Sequence, residues 1–166
     1  ISFIFNDSGA AMTTATAATA KGLPLHSNDR WLWEKHYPKH VNWRAPIAPR
    51  RLDDLMTDAV ARFGNHPAID FMGKRWSYND LGALIDAAAH GLQQRGVKKG
   101  VRVGLFLPNT VYSVIFYFGV LRAGGTVVNY NPLYVEKEIA HQIEDSQTDI
   151  MVTVDLKLTM DKMATM

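Results

Sequence analysis

Residues 101–130 read VRVGLFLPNTVYSVIFYFGVLRAGGTVVNY, and this stretch decides the fold class. A continuous apolar run of strand length at 101–107 is followed by a helical segment at 111–122 and a second strand at 126–130. A helix at 135–145 and a strand at 150–154 repeat the unit, so strands recur about every 24 residues. That spacing leaves room for right-handed crossover helices and predicts an α/β fold with a parallel sheet.

Two helices and a hairpin are predicted ahead of this repeat. Apolar residues of helical spacing run over 52–63 and again over 81–92. Between these segments, two short apolar runs flank the dipeptide Met72-Gly73, which predicts a β-hairpin. Ser77 and Asp80, three residues apart, predict a capping box at the start of the second helix.

Composition limits the classes of partner and compartment. The chain has 166 residues, of which 47% are hydrophobic and 20% are charged, enough for one domain with a buried core. The formal net charge is +2 and the basic residues are scattered, so no nucleic acid partner is expected. The absence of cysteine suits a cytoplasmic location. No apolar run reaches the roughly 20 residues of a membrane span, so at most peripheral membrane contact is expected.

The chain is predicted to have three parts. Residues 1–24 are expected to be a disordered tail or vector-derived residues, with Met12 as a candidate natural start. Residues 25–50 hold three tryptophans and three prolines and predict an extended arm that packs its aromatic rings on another surface. Residues 51–166 hold the α/β portion. Its three parallel strands predict an incomplete fold whose last strand offers an unpaired edge.

Known catalytic motifs are not found in the sequence. It contains no Walker A loop, no dinucleotide-binding GxGxxG and no Gly-x-Ser-x-Gly elbow. Glu138 and His141 have the Glu-x-x-His spacing of di-iron proteins but lack the second such pair, so we assign no metal ligand. His36 and His40 are four residues apart, but Pro38 breaks the helix that would align them. We assign no catalytic, cofactor-binding or metal-binding residue.

Two loops are singled out as candidates for ligand contact. Open α/β sheets bind ligands at the carboxyl ends of their strands, which here are followed by residues 108–110 and 129–134. Asn109 is expected to cap the next helix instead. That helix carries four aromatic residues that either line an acyl pocket or belong to the core: Tyr112, Phe116, Tyr117 and Phe118. Its uniformly apolar sequence favours the core. Substrate-binding residues stay unknown.

Two segments resemble core motifs of the adenylate-forming (AMP-binding) superfamily. WSYNDL at 76–81 resembles the first motif, Ser/Thr-Tyr-x-x-Leu, and LRAGGTVVNYNP at 121–132 resembles the second, Leu-x-Ala-Gly followed by a strand and Asn-Pro. GVRV at 100–103 and LPN at 107–109 lie where the family has Gly-Asp-Arg-Val and a Pro-Asn turn, with Val101 in place of the usual Asp. NPLY at 131–134 is similar to the long-chain fatty acid:CoA ligases.

The resemblance covers about residues 31–166 and implies a function for a longer protein. It implies that residues 51–166 are the first α/β portion of the large N-terminal domain of an acyl-CoA synthetase. Such an enzyme uses ATP and Mg²⁺ to activate a fatty acid as acyl-AMP and transfers the acyl group to coenzyme A, and it would allow a homodimer through the arm. The family's phosphate loop, its later acidic and Arg motifs and its C-terminal lysine do not occur in this sequence. The segment alone is therefore predicted to be inactive and not to bind ATP or Mg²⁺.

Three alternatives stay open at this stage. An aryl-acid or medium-chain acyl-CoA ligase would share the same motifs, because the acyl pocket of the family is formed mostly by later sequence. A self-contained, non-catalytic interaction domain would use the tryptophan-rich arm to dock on a partner. A nucleotide-binding module without chemistry is disfavoured by the missing glycine-rich loop.

Overall fold

The computed structural model describes residues 2–5, 36–42 and 45–155. The chain divides into two compact units, one made of residues 1–7 with 50–166 and the other of residues 8–49. In the second unit, the backbone N–H of Val41 donates to the carbonyl of Pro38 at 2.9 Å, forming a turn. Trp31, Trp33 and Trp43, on which the predicted arm depends, lie outside the described residues.

The first unit contains the helices and strands expected between residues 52 and 154. In chain order they are β1 (Ser2–Phe5), α1 (Asp54–Phe63), β2 (Pro67–Phe71), β3 (Lys74–Ser77), α2 (Tyr78–Gln94), β4 (Arg102–Phe106), α3 (Val111–Ala123), β5 (Thr126–Asn129), α4 (Glu136–Ser146) and β6 (Ile150–Thr153). None of the helices in the described ranges is long and apolar enough to cross a membrane.

The main sheet has the strand order β1-β6-β4-β5. The central strand β4 is parallel to β5 on one side and to β6 on the other, which confirms the parallel sheet. β1 lies antiparallel on the outer edge of β6, with Ser2 opposite Thr153. The structure therefore differs from the sequence expectation in two ways. Ser2–Phe5 form a strand within the range expected to be a tail, and β6 has no free edge, because its outward N–H and C=O groups pair with β1.

Helices α3 and α4 cover opposite faces of this sheet. Alternate side chains of β4 point to opposite sides: Leu105 packs with Phe116 of α3, whereas Phe106 packs with Ile139 of α4. The chain thus leaves β4 toward one face and leaves β5 toward the other. The gap between the carboxyl ends of β4 and β5 is therefore the topological switch point, where open α/β sheets bind ligands.

The start of α2 confirms the predicted capping box. The backbone N–H of Asp80 donates to Ser77 Oγ at 3.1 Å, and the Asp80 carboxylate accepts from the Ser77 hydroxyl at 2.7 Å and from its backbone N–H at 2.9 Å. These hydrogen bonds stabilise the charged carboxylate and lower the pKa of Asp80. Helix α3 ends at its C-cap residue Gly124, whose φ of 92° is the left-handed conformation typical of such caps.

Helix α1 is held in place by ion pairs as well as by apolar contacts. Its N-cap residue Asp53 is buried and accepts from Arg51 at 2.9 and 2.7 Å. Arg122 of α3 lies 4.0 Å from the same carboxylate and donates to Asp86 of α2 at 2.6 Å. Of the predicted apolar stripe only Met56 is buried, whereas Leu52, Leu55 and Phe63 are exposed. The helix is present as predicted, but much of its apolar face is not covered by the described part of the chain.

Candidate functional site

A cavity of about 640 Å³ opens at the switch point between the carboxyl ends of β4 and β5. It is lined by Leu105, Leu107, Asn109, Ser113, Val114, Tyr117, Phe118, Asn129, Tyr130, Asn131, Pro132 and Tyr134. The two loops singled out in the sequence, 108–110 and 129–134, both contribute to this lining. The parallel strand order brings them together, because it places the ends of β4 and β5 side by side.

The apolar side chains of the cavity come from β4, from α3 and from the loop after β5. Val114, Tyr117 and Phe118 are half-buried there, and the rings of Tyr117 and Phe118 meet edge-on with centroids 5.4 Å apart. Phe116 faces the core instead, whereas Tyr112 is exposed. The core interpretation of this aromatic cluster therefore holds fully for Phe116, whereas Tyr117 and Phe118 pack against the core and also line the cavity. A helix that is apolar on every side gives no sequence signal of which face meets the sheet.

Three asparagines form the polar part of the cavity: Asn109, Asn129 and Asn131. The side-chain oxygen of Asn131 accepts from the backbone N–H of Leu133 at 3.0 Å, which makes a local turn. The carbonyl of Asn129 accepts from the Gln142 amide at 2.9 Å. The expectation that Asn109 caps α3 is wrong, because α3 begins at Val111 and Thr110 is its N-cap residue. Asn109 lies one position earlier and lines the cavity.

Tyr130 anchors the loop that follows β5. Its ring is buried against β4, where a Cβ added to Gly104 would lie 2.8 Å from Cε2 of the ring. Its hydroxyl lies 2.7 Å from Thr148 Oγ1 and 3.1 Å from Ser146 Oγ. This contact was not predicted from the sequence. A glycine inside a strand is a signal of close approach, and Gly104 carries that signal.

Some hydrogen-bonding capacity near this edge is unused. Within the described residues, the buried atoms Thr110 Oγ1, Gln142 Oε1 and Thr153 Oγ1 have no hydrogen-bond partner. Thr110 follows β4 and Thr153 ends β6, so two of the three lie at the carboxyl end of the sheet. Buried polar atoms are usually paired, so each unpaired one carries a cost in stability.

The residues considered as metal ligands are not brought together. Glu138 and His141 are exposed on α4, and the Glu138 carboxylate accepts from the backbone N–H of Val135 at 2.9 Å, at the start of the helix. His36 and His40 lie in the other unit and are exposed. No group of three or more His, Asp or Glu side chains placed to hold a metal ion occurs in residues 36–42 and 45–155.

The described lining of the cavity consists of neutral side chains. Its lining, over the ranges that the structure describes, contains no Asp, Glu, Lys, Arg or His side chain. It therefore offers no carboxylate or imidazole as a general base and no cation for a phosphate. The lining combines apolar side chains with the polar groups of three asparagines, Ser113 and three tyrosines.

Comparison with known proteins places this fold among a family of enzymes. The family model described as "AMP-binding enzyme" matches residues 56–165. The chain is 42% identical over 134 residues to a long-chain-fatty-acid–CoA ligase of Bacillus subtilis, covering 80% of this chain and 23% of that protein. It is 39% identical over 125 residues to the protein of that name from Escherichia coli O6:H1, and this match covers 74% of this chain and 22% of that protein. The chain thus spans less than a quarter of the length of these relatives.

Solved structures show the same fold at lower identity. The N-terminal domain of FACL13 from Mycobacterium tuberculosis superposes with a TM-score of 0.65 at 20% identity, over 71% of this chain and 30% of that chain. The NpsA N-terminal subdomain of Klebsiella oxytoca gives a TM-score of 0.58 at 21% identity, over 60% of this chain and 26% of that chain. The described α/β portion therefore has the architecture seen in these N-terminal domains.

Proposed function

The chain belongs to the AMP-binding enzyme family, and from this premise we propose that it is the N-terminal part of an ATP-dependent long-chain fatty acid:CoA ligase. The observation that carries the proposal is the 42% identity over 134 residues to a ligase of that name. In the proposed reaction, the fatty acid carboxylate attacks the α-phosphorus of ATP and releases pyrophosphate. The thiolate of coenzyme A then attacks the acyl carbonyl and releases AMP.

The described residues lack the charged groups that would bind a nucleoside triphosphate or a Mg²⁺ ion. Neither lysine nor arginine lines the cavity to neutralise phosphate oxygens, and the carboxylates of the described ranges form no metal cluster. We therefore propose that ATP and Mg²⁺ bind to parts of a longer polypeptide and that these 166 residues alone do not catalyse the reaction. No step of the reaction is assigned to a residue of this chain.

What the chain contributes is a scaffold. The motif at 76–81 begins helix α2 through the Ser77 and Asp80 hydrogen bonds. The motif at 121–132 turns the chain from α3 to β5 at Gly124, anchors the next loop through Tyr130 and closes it at Asn131. The second motif therefore shapes the edge of the sheet at which the cavity opens, whereas the first fixes the start of a helix.

The proposal is tested by reading the source gene past the codon for Met166 and expressing whatever product it encodes. We expect a continuation that supports hexadecanoate-dependent exchange of pyrophosphate into ATP, whereas the 166-residue chain gives none. A stop codon at that point, or a continued product without exchange for any carboxylic acid, would overturn the proposal. Exchange with benzoate or octanoate but not with hexadecanoate would instead support the aryl-acid or medium-chain alternative.

Other features of the whole protein stay predictions. Fatty acid, ATP and coenzyme A are its proposed substrates, and we keep the cytoplasm as its proposed location. Homodimer formation through the 25–50 arm is tested by deleting residues 25–49. If the arm joins two protomers, the molecular mass in solution should fall from that of a dimer to that of a monomer.

A further inference from the structure

We propose that Tyr130 is a positioning residue, through whose hydroxyl the C-terminal end of α4 holds the segment 129–134 in place at the carboxyl edge of the sheet. The proposal rests on the proposed function only for the reaction in which this segment takes part. Three observations carry it: a chain of hydroxyl groups behind the tyrosine ring, a closed circuit of hydrogen bonds, and the contribution of the segment to the cavity.

The Tyr130 hydroxyl is the first member of a chain of three hydroxyl groups. It lies 2.7 Å from Thr148 Oγ1, which lies 2.8 Å from Ser146 Oγ. Ser146 donates its one hydroxyl hydrogen to the carbonyl of Gln142 at 2.6 Å, so it accepts in its contacts with the other two hydroxyls. The two short contacts are then satisfied together only if Tyr130 donates to Thr148 and Thr148 donates to Ser146. Hydrogen bonds that follow one another in this way strengthen each other.

The same helix also holds the residue before Tyr130. The side-chain amide of Gln142 donates to the backbone carbonyl of Asn129 at 2.9 Å, and the backbone carbonyl of Gln142 accepts from Ser146. The hydrogen bonds therefore form a closed circuit, which begins at Tyr130 and returns to its neighbour Asn129. Because α4 holds two adjacent residues at two points, it constrains the orientation of this backbone as well as its position.

The ring of Tyr130 is held between β4 and α4. It is buried in one cluster with Phe106 of β4 and Ile139 of α4. The backbone N–H of Tyr130 donates to the carbonyl of Leu105 at 3.0 Å. Strand β4 thus holds the backbone of this residue, and the end of α4 holds its hydroxyl. Replacing the tyrosine by phenylalanine keeps the packed ring and removes only the link to the hydroxyl chain.

The segment held in this way contributes to the cavity. Its residues 129–132 and 134 are among those that line it. Within the segment, the backbone N–H groups of Leu133 and Tyr134 donate to the side-chain oxygen and the carbonyl of Asn131, both at 3.0 Å. These two bonds fix the shape of the turn, whereas the bonds of residues 129 and 130 fix its place against the sheet. Thr148 does not line the cavity, so it acts on the turn through Tyr130.

The first test measures amide hydrogen exchange in the 166-residue chain by NMR. Tyr130→Phe should raise the exchange rates of the amides of residues 130 and 134 at least about fivefold relative to those of β4, because the turn then opens independently of the sheet. Tyr112→Phe is the matched control: it removes the hydroxyl of an exposed tyrosine that does not line the cavity, and it should leave both rates unchanged. Equal acceleration of every amide would show a general loss of stability and would overturn the positioning role.

A substitution outside the segment tests the chain of hydroxyls. Thr148→Val should raise the same two exchange rates, by a smaller factor than Tyr130→Phe, because the Tyr130 hydroxyl keeps Ser146 as a partner at 3.1 Å. The double variant should show no larger increase than Tyr130→Phe alone, since that change already removes both contacts. Thr126→Val, at an exposed residue at the other end of β5, is the control and should change neither rate. Multiplying effects of Tyr130→Phe and Thr148→Val would overturn the assigned chain.

The third test uses the gene product that continues past Met166. In its exchange of pyrophosphate into ATP, Tyr130→Phe should raise the KM of hexadecanoate at least about threefold and leave kcat within about twofold, because a displaced wall weakens binding in the ground state and the transition state alike. The KM of ATP should stay the same, because the described lining holds no cation for its phosphates. An unchanged KM of hexadecanoate, or a loss confined to kcat, would overturn the positioning role.

The two proposals fail separately. If the longer product performs pyrophosphate exchange and Tyr130→Phe changes neither the amide exchange rates nor the KM of hexadecanoate, the positioning role is overturned and the proposed function stands. If that product performs no pyrophosphate exchange while Tyr130→Phe and Thr148→Val both accelerate amide exchange in the segment, the proposed function is overturned and Tyr130 stands as the residue that positions this edge of the cavity.

Discussion

Tyr130 occupies the space that a side chain on Gly104 would need. A Cβ at Gly104 would lie 2.8 Å from Cε2 of the tyrosine ring and 2.7 Å from the sulfur of Met151. The missing side chain leaves room for the ring against β4, and its hydroxyl reaches Ser146 at the end of α4 and Thr148 just after that helix. One missing methyl group on β4 sets the position of the loop that borders the cavity.

Gly104→Ala should lower the free energy of unfolding by about 1–3 kcal/mol, because the new methyl group overpacks the contact with Tyr130 and Met151. Urea unfolding monitored by circular dichroism checks this value. Gly91→Ala is the matched control: its nearest neighbour to a new Cβ is the flexible end of Arg95 at 3.7 Å, and Gly91 lies inside α2. That change should stabilise the chain by about 0.4–1 kcal/mol. The same sign for both substitutions would contradict the prediction.

Arg122→Gln should destabilise the chain by about 1–2 kcal/mol, because the side chain is mostly buried and joins α3 to Asp86 and to Thr57 at 2.6 and 3.1 Å. Asp53 keeps its hydrogen bonds to Arg51, which limits the loss. Thermal unfolding measures the effect. Arg75→Gln removes an exposed ion pair with Asp70 and should leave the melting temperature unchanged, since such pairs are screened by solvent. Equal losses would show that burial does not decide the difference.

Met72→Asn should stabilise the chain by about 1 kcal/mol. Met72 and Gly73 join β2 to β3 with φ values of 50° and 77°, the positive values at both central positions that favour Asn-Gly in a two-residue hairpin turn. The methionine side chain is exposed and makes no core contact that its loss would sacrifice. Chemical denaturation of both proteins gives the difference. Met72→Ala serves as control and should give no such gain, because alanine does not favour positive φ.

Asp80 should make the stability of the chain depend on pH in the acid range. Its pKa is lowered in the folded state by hydrogen bonds from the Ser77 hydroxyl and backbone N–H, so its contribution is present above the unfolded pKa of about 3.9. That contribution is lost as the pH falls through the lower folded value. The difference in urea midpoint between the wild-type chain and Asp80→Asn should therefore be constant above about pH 5 and shrink below about pH 4. A difference that does not change between pH 7 and pH 3 would contradict the assigned cause.

Local signals in the sequence were enough to predict most elements of the first unit. Ser77 with Asp80 marked the start of α2, because caps depend on residues close in the chain. The parallel sheet also followed from strand spacing, since parallel strands need crossovers. These predictions rest on interactions within a few residues or on a repeated period.

What could not be predicted depends on contacts between distant residues. The pairing of Ser2–Phe5 with β6 joins segments about 150 residues apart and has no local signature. Helical spacing identified α1 but could not show that Leu52 and Leu55 would stay exposed. In α3, Phe116 faces the core and Phe118 the cavity, although both lie in one uniformly apolar run. Only the packing of the sheet against the helix distinguishes them.

The strand order β6-β4-β5 also has a consequence for how the protein is made. The ribosome releases β4 first and β5 next, and the 24 residues from Tyr130 to Thr153 must follow before β6 can pair with the other side of β4. At about 5–20 residues per second, that flank of β4 stays bare for roughly 1–5 s during synthesis. Val103, which is fully buried in the finished fold, is then within reach of chaperones and of other nascent chains.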